Sequence, residues 1–538
     1  MSRIHFDYLW QYVEYWAGID PSFPAMHFYD QVISYGEFEE QTDNLARSFL
    51  NMGIGKGDVV ATMLPSSPEY IMSLIAADKI GAVICALDIK YKTADLKKFV
   101  AHLKPGLVIA LSQQDDYDIA YTLKEVEREL ELDNTIQYIL VGDSKGGSPF
   151  QDQLKPSSSL DDSLTSAKKD QHKDDGMLIV FTGGTTGVPK AALLSKINVA
   201  GMAKVETDYL RRFILDEGDN RRIKTIVSLP PSHVGGTVEM VGTAIVGGME
   251  MFVHDNWSPS QVLSTIQEER VTWVGGVPTM YAIMLLMPDL NEYDLSSLKI
   301  AIMSGEKVET ELLEMIRDRI CPWIVIGYGS TESGSEVTFT EPGEDFARIA
   351  DGYVGKLLPG VEIKIVGDGE EELAAEIVGE VLIRGDFTIN SYFKMPEEDE
   401  VGFTKDGYCK TGDLGYLTVD GGLYIKGRKK HIIRVGSYTV MPTEIEEVVT
   451  KDPTVGIAAA IGIPDKVMGE VPWVIVCPAP DAVVEEEKMI DLCKRELATF
   501  KVPRRVIIWK ELPITRIGKV HRVEVQNEII KLINGGKL

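Results

Sequence analysis

"FTGGTTGVPKAALLS", Phe181 to Ser195, follows the apolar run "MLIVF" and places three glycines, three threonines and one lysine in one short stretch. Glycine reaches positive φ without steric cost and lets backbone N–H groups approach a ligand closely. Threonine hydroxyls and a lysine ammonium add donors and positive charge, so the composition suits an anion, most simply a chain of phosphates. A Walker-type loop places Ser or Thr directly after Gly-Lys, whereas Lys190 stands between Pro189 and Ala191. The same residues also suit a flexible turn between two strands. Within the stretch itself the two readings stand side by side.

The segments around it set the fold class. Upstream, "DVVATML" reads as a strand, "PEYIMSLIAADKIG" as a helix stopping at Gly81, and "AVICALD" and "PGLVIAL" as strands. Downstream, "TIVSLP", "VTWVGGVP", "LKIAIMSG" and "WIVIGYG" continue the alternation of strand and helix. Such alternation implies parallel sheet and an α/β class. The polar residues between Gly142 and Gly176 read as an exposed excursion. Beyond Gly355, "VEIKIVGDG" and "GEVLIRG" suggest a β-rich subdomain. A last unit from about Arg428 carries "EIEEVVTKDP", "VGIAAAIGIPD", "VPWVIVCPAP" and "EEEKMIDLCKRELATF", a compact α+β pattern. No internal repeat or coiled-coil heptad is present.

At 538 residues the chain exceeds one ordinary core, so two or more domains are expected. The balance of 82 Asp+Glu against 55 Lys+Arg gives a net charge of -27, which repels nucleic-acid backbones. The five cysteines are scattered without C-x-x-C or ligand spacing to histidine, so neither a disulfide framework nor a zinc site is expected. The start "MSRIHFDYLWQYVEYW" lacks a signal-peptide pattern, and the apolar stretch "VEMVGTAIVGGMEMFV" is too interrupted for a membrane span. A cytoplasmic protein is the expectation, with a homodimer left open.

Four further stretches bear on the phosphate reading. "GYGSTESG" (Gly327 to Gly334) sets an aromatic, hydroxyls and Glu332 in a tight turn after an apolar strand. "YCKTGDLG" presents Asp413 between glycines, and "YIKGRKKHIIRVGSYTV" holds Arg428 and Lys430 at the junction of units. "ELPITRIGKVHR" holds Lys519 after a glycine. Each alone is as easily a turn or a solvated charged face. Their fixed order, over nearly the whole chain from "ISYGEFEEQTDNLARSF" to "GKVHR", resembles the adenylate-forming superfamily: AMP-forming acyl-CoA synthetases, peptide-synthetase adenylation domains and luciferases.

The resemblance implies a large N-terminal domain of two α/β subdomains plus a β-rich one (1–427), which binds acid and ATP. It implies a small mobile C-terminal domain (428–538) carrying the catalytic lysine. A carboxylate attacks the α-phosphate of ATP to give an acyl-adenylate and pyrophosphate; a thiol, here coenzyme A, then displaces AMP. Thr182, Gly183, Gly184, Thr185, Thr186, Gly187 and Lys190 match the pyrophosphate loop. Tyr328 is expected to stack on adenine within Gly327, Gly329 and Ser330, with Gly305 and Glu306 near the base. Thr331 is expected to reach the α-phosphate and Glu332 to hold Mg²⁺, a hard cation suited to carboxylate oxygens. Asp413 accepts both ribose hydroxyls, with Arg428 as second anchor. Lys519 bridges carboxylate and α-phosphate, and His233 is counted with the catalytic group and the acyl pocket alike. Lys430 occupies the hinge position, and Gly436, Ser437 and Tyr438 line the thiol tunnel.

Ile517, where the family often has a small polar residue, and His431, where an acid is common, depart from the pattern without removing a required group. Acetate-type relatives close the acyl pocket with a tryptophan at the position of Gly329, so a larger acid is expected here: aromatic, alicyclic or medium-chain. His233, Val234, Gly235, Trp273, Gly275, Met303, Gly327 and Gly329 are the pocket candidates, though Trp273 and Met303 equally suit plain core packing. Two alternatives remain: an adenylation enzyme loading a carrier protein, and an inactive nucleotide-binding homologue. The segment around "LPPSHVGGTVE" shows no acid beside His233 to hold a substrate ammonium, against the first. No G-x-S-x-G elbow is present, against a hydrolase.

Overall fold

A computed structural model gives the structure of the chain. It describes residues 5–538 except 133–134, 144, 157–160, 183–188, 216–222, 436–437, 466, 515–519 and 536–537, and leaves aside the side chains of Lys430, Tyr438 and Thr439. The described residues form two compact units. The first comprises Met1–Ala350, Val354–Ile363 and Ile383–Lys410; the second comprises Asp351–Tyr353, Lys364–Leu382 and Thr411–Leu538. The second unit thus takes in part of the β-rich stretch as well as the residues beyond 428. No helix among the described residues is long and apolar enough to cross a membrane.

Two sheets organise the first unit. In one, the strands run Lys190–Ser195, Gly176–Thr182, Val83–Ala86, Val59–Met63, Leu107–Leu111, Gln137–Val141 and Ser148–Pro149. All its pairings are parallel except the hairpin that carries Thr182 and Lys190. Val59–Met63 and Val83–Ala86 are buried throughout, as expected of parallel strands covered by helices on both faces. In the other sheet, Glu250–Val253, Lys224–Val227, Trp273–Gly276, Ile300–Ser304 and Ile324–Ser330 pair in parallel in that order, and Ser335–Phe339 returns antiparallel to the last.

The helix Pro68–Ile80 starts at Ser67, whose side chain accepts from Tyr70 N–H, has Pro68 in its first turn, and stops at Gly81 with φ 74°. Helix Lys196–Ile214 begins directly after the Lys190–Ser195 strand, with Ser195 and Asn198 forming a reciprocal capping box. The two helices are joined by Lys196 Nζ and Asp78 Oδ1, 2.5 Å apart with both side chains fully buried. Trp10 N–H donates to the other Asp78 oxygen at 3.1 Å.

The polar excursion after Gly142 differs from expectation. It holds the edge strand Ser148–Pro149 and the helix Asp161–Lys169. Buried Phe150 and Leu164 seat it, and ion pairs from Lys168 to Glu14 and Asp43 and from Arg47 to Asp161 fasten it. Charge pairing does here what an apolar stripe does elsewhere, so composition concealed the docking.

In the second unit, Gly469–Pro478 pairs with Val455–Asp465, Ile433–Val435 and Arg505–Ile508. Side-chain alternation along Val455–Asp465 sends Ala458 and Ala460 into one core with helices Pro442–Thr450 and Glu486–Glu496. It sends Ala459, Ile461 and Ile463 into another with helix Arg522–Asn534.

Candidate active site

The opening stretch is a hairpin: Thr182 and Lys190 are register partners at the ends of two antiparallel strands. Gly183, Gly184, Thr185, Thr186 and Gly187, between them, lie outside the described residues. Lys190 Nζ lies 2.8 Å from Glu398 Oε2 and 5.1 Å from the centre of the Tyr392 ring.

Strand Ile324–Ser330 carries Gly327, Tyr328, Gly329 and Ser330 to its end, and the turn after it carries Thr331 and Glu332. Ser330 and Ser333 tie the turn together: Ser330 N–H donates to Ser333 Oγ at 2.8 Å and Ser333 N–H to Ser330 Oγ at 3.2 Å. Glu332 Oε1 accepts from the Tyr392 hydroxyl at 3.1 Å. The Tyr392 hydroxyl pKa is pushed up, chiefly by burial and then by the Glu332 charge, so it stays a donor. Tyr392 therefore stands between Lys190 and Glu332. Gly305, at φ 86°, turns the chain after strand Ile300–Ser304, and Glu306 accepts from the Thr279 hydroxyl at 3.3 Å.

Gly329 corrects the pocket reading. A Cβ there would lie 1.8 Å from the Ser335 carbonyl oxygen, so the neighbouring strand's backbone occupies the space any side chain would need. The glycine is required by close strand approach and is not an opening for an acyl chain.

The segment after His233 winds as a π-helix, Gly235–Gly242, and continues as the helix Thr243–Gly247. Wide turns of this kind occur often at functional sites. His233 is exposed and Val234 half-buried, while Trp273 and Met303 are fully buried in the sheet. Trp273 belongs to the main core, although its Nε1 has no hydrogen-bond partner among the described residues.

Three carboxyls that the sequence reading passed over gather here. A Cβ at Gly235 would lie 3.5 Å from Glu239 Oε2, and one at Gly327 would lie 3.2 Å from Glu336 Oε1. Ser335 Oγ is 2.5 Å from Glu239 Oε1 and 2.9 Å from Glu336 Oε2. Nearby, Glu206 accepts from the Thr243 hydroxyl at 2.9 Å. Burial, with the Glu336 charge second, pushes the pKa of both Glu206 and Glu239 well above the usual carboxylate range. The signal available beforehand was an acid inside the apolar run "VEMVGTAIVGG", an unusual place for one.

In the second unit, Asp413 and Arg428 are register partners on adjacent antiparallel strands, with Arg428 Nε 2.6 Å from Asp413 Oδ1. Arg428 also donates to the Thr411 carbonyl at 3.1 Å. Asp413 is buried and Arg428 partly open, an arrangement able to present both to a diol. Lys430 lies in the short 3₁₀ turn Lys429–His431, and Tyr438 opens the strand Tyr438–Val440. Gly436, Ser437 and Lys519 lie outside the described residues.

No group of three or more His, Cys, Asp or Glu suited to a metal ion occurs among the described residues. A magnesium ion held mainly by phosphate oxygens needs only one or two carboxylates. Glu332 fits that need, since one of its oxygens is engaged by Tyr392 and the side chain is only half-buried.

The family described as AMP-binding enzyme matches residues 13–393, and the AMP-binding enzyme C-terminal domain matches residues 444–519. The chain is 27% identical to the indoleacetate–CoA ligase of Aromatoleum aromaticum, covering 97% of this chain and 98% of that one. It is 29% identical to the mitochondrial medium-chain acyl-CoA ligase of Danio rerio, covering 95% of this chain and 86% of the relative. ATP-bound MatB from Rhodopseudomonas palustris superposes with a TM-score of 0.82 at 25% identity, over 96% of this chain and 98% of that one. With one family model matching more than half of the chain, the hairpin strands of Lys190 included, and a second matching its C-terminal part, the chain belongs to the AMP-binding enzyme family and is an AMP-forming carboxylate–CoA ligase of the adenylate-forming group.

Proposed function

We propose that this ligase takes a carboxylic acid larger than acetate, with ATP, Mg²⁺ and coenzyme A, in a cytoplasmic setting. An aromatic or alicyclic acid or a medium-chain fatty acid is the class we favour, in line with the names of its relatives. The observation that carries the nucleotide half of the reading is the link of Lys190 and Glu332 through Tyr392. Five buried, unpaired cysteines suit a reducing compartment.

In the first step a carboxylate oxygen of the acid bonds to the α-phosphorus, and the bond to pyrophosphate breaks. Thr182, Lys190 and the hairpin between them hold the departing phosphates, and Thr331 donates to the α-phosphate. Tyr328 supports the base with Glu306 nearby, while Asp413 and Arg428 hold the ribose. Glu332 holds the magnesium, which when bound offsets phosphate charge. Lys519 places a fixed cation between the two anions as charge builds in the transition state. In the second step the thiol sulfur of coenzyme A, approaching past Gly436, Ser437 and Tyr438, attacks the acyl carbon and AMP leaves. The division at residues 1–427 and 428–538, with Lys430 as hinge, lets Lys519 serve only the first step.

The test is a panel of acids, from acetate through medium-chain and arylacetic acids to amino acids, assayed for pyrophosphate release and for thioester with coenzyme A. ADP and orthophosphate as products would overturn the reaction, and preference for acetate would overturn the size class. An amino-bearing acid taken first would overturn the favoured class and assign Glu239 and Glu336 to its ammonium.

A further inference from the structure

Lys190 and Glu332, read above as the ligands of the phosphates and of magnesium, are both held by one short segment of the same compact unit. Residues 391–393 run alongside the strand of Lys190: Ala192 and Tyr392 form an antiparallel bridge, and Phe393 N–H donates to the Ala191 carbonyl at 2.7 Å. That register also places the next helix. Helix Pro396–Gly402 begins with Glu397, Glu398 and Asp399 in its first turn. Asp399 accepts from Tyr392 N–H at 2.6 Å, which pins the helix to the bridge. Glu398 then faces Lys190, 2.8 Å away, and Glu397 is left in solvent.

A lysine ammonium has three donors and no fixed fork. One donor is taken by Glu398, and the Tyr392 ring lies 5.1 Å from the ammonium. The side chains of Lys190 and Glu398 are 25% and 30% exposed, so water and salt reach the pair and it can exchange partners. Phosphates arriving at the hairpin must share this ammonium with a carboxylate of the protein. On the other side of Tyr392, its hydroxyl holds one oxygen of Glu332 and turns the carboxylate.

Resting on the reading of Lys190 as a phosphate ligand and Glu332 as the magnesium ligand, we infer that Glu398 is a built-in counter-ion competing with the nucleotide's phosphates for Lys190, and that Tyr392 is a positioning residue that orients Glu332 toward magnesium. The two act through different charges and carry different signatures. Glu398 moderates the hold on phosphate whether or not metal is present, which keeps pyrophosphate from binding too tightly to leave. Tyr392 affects only the part of binding that magnesium adds.

Calorimetric titration of the full chain with α,β-methylene-ATP and with pyrophosphate, each with and without Mg²⁺, tests this. Glu398→Gln is expected to tighten both ligands about two- to five-fold in either condition, the size of a partly exposed ion pair. That gain is expected to vanish in the Lys190→Ala background, and Glu398→Asp to stay near the parent. Tyr392→Phe, which keeps the ring under Lys190, is expected to leave metal-free binding unchanged and to cut the magnesium-dependent gain at least about three-fold. A neutral or weaker Glu398→Gln, or a gain that survives Lys190→Ala, overturns the counter-ion role while Lys190 stands. Equal losses with and without magnesium overturn the Tyr392 role. If Lys190→Ala alone leaves binding intact, the reading of Lys190 itself falls. Thermal unfolding without ligand separates these outcomes from loss of fold.

Discussion

Glu239 is the most consequential side chain that lies outside the motifs. It is buried on the π-helix, shares Ser335 with Glu336, and has Glu206 as a further acidic neighbour. Burial and these charges hold its carboxyl protonated well above its ordinary value of 4.5. Above that value the folded chain keeps a proton that the unfolded chain releases, so this group's stabilising contribution declines as pH rises toward the raised folded value. Glu239→Gln removes the titration while keeping the shape. Urea denaturation is expected to find the variant close to the parent at pH 4 and more stable than it at pH 8. An identical difference at both pH values would show that the carboxyl titrates in the folded chain as it does in the unfolded one, against the upward shift.

The pairing of helices Pro68–Ile80 and Lys196–Ile214 shows how a charge pair sets the element just after the strand of Lys190. Asp78 and Lys196 are both fully buried, and Asp78 also receives Trp10 N–H. Removing one partner leaves the other charge in a medium that solvates it poorly. Asp78→Ala is therefore expected to cost about 3–5 kcal/mol, read as a drop in denaturant midpoint. Lys196→Met added to it is expected to recover most of the loss, because no unpaired ion then remains. A double variant as unstable as the single one would mean that packing, and not the stranded ammonium, sets the cost.

For the protein as a machine, the two half-reactions are the point of measurement. Lys519→Ala is expected to lower acyl-adenylate formation by on the order of 10²–10³-fold, the usual cost of one preorganised donor. It is expected to convert supplied acyl-adenylate and coenzyme A to thioester at nearly the parent rate. Lys430 sits in a 3₁₀ turn, whose φ near −60° proline accepts. Lys430→Pro is thus expected to hold that turn as it stands and to slow one half-reaction at least about ten-fold more than the other. Single-turnover measurements of each step decide both cases, and equal losses in both steps for Lys519→Ala would end the account of a hinge that alternates roles.

Much of this was legible in the chain because it depends on neighbours in sequence. Apolar runs and turn residues marked the strands Val59–Met63, Leu107–Leu111 and Ile324–Ser330, and the stretch from Pro68 to Gly81 marked a helix. The order of short motifs carried the family, since each motif is a local loop with its own chemistry. What the chain did not disclose depends on residues far apart meeting. The backbone of Ser335 against Gly329 turned an expected opening into a closed contact. Glu206, Glu239 and Glu336 come from separate elements, and the burial that sets the protonation of Glu206 and Glu239 exists only once those elements pack. Tyr392 and Glu398 lie some two hundred residues beyond Lys190 and carry no motif, yet a single strand bridge at Ala192 places both at the charged centre. Local sequence determined which groups are available; the long-range pairing of strands, whose register has no local cost to read, decided which of them meet.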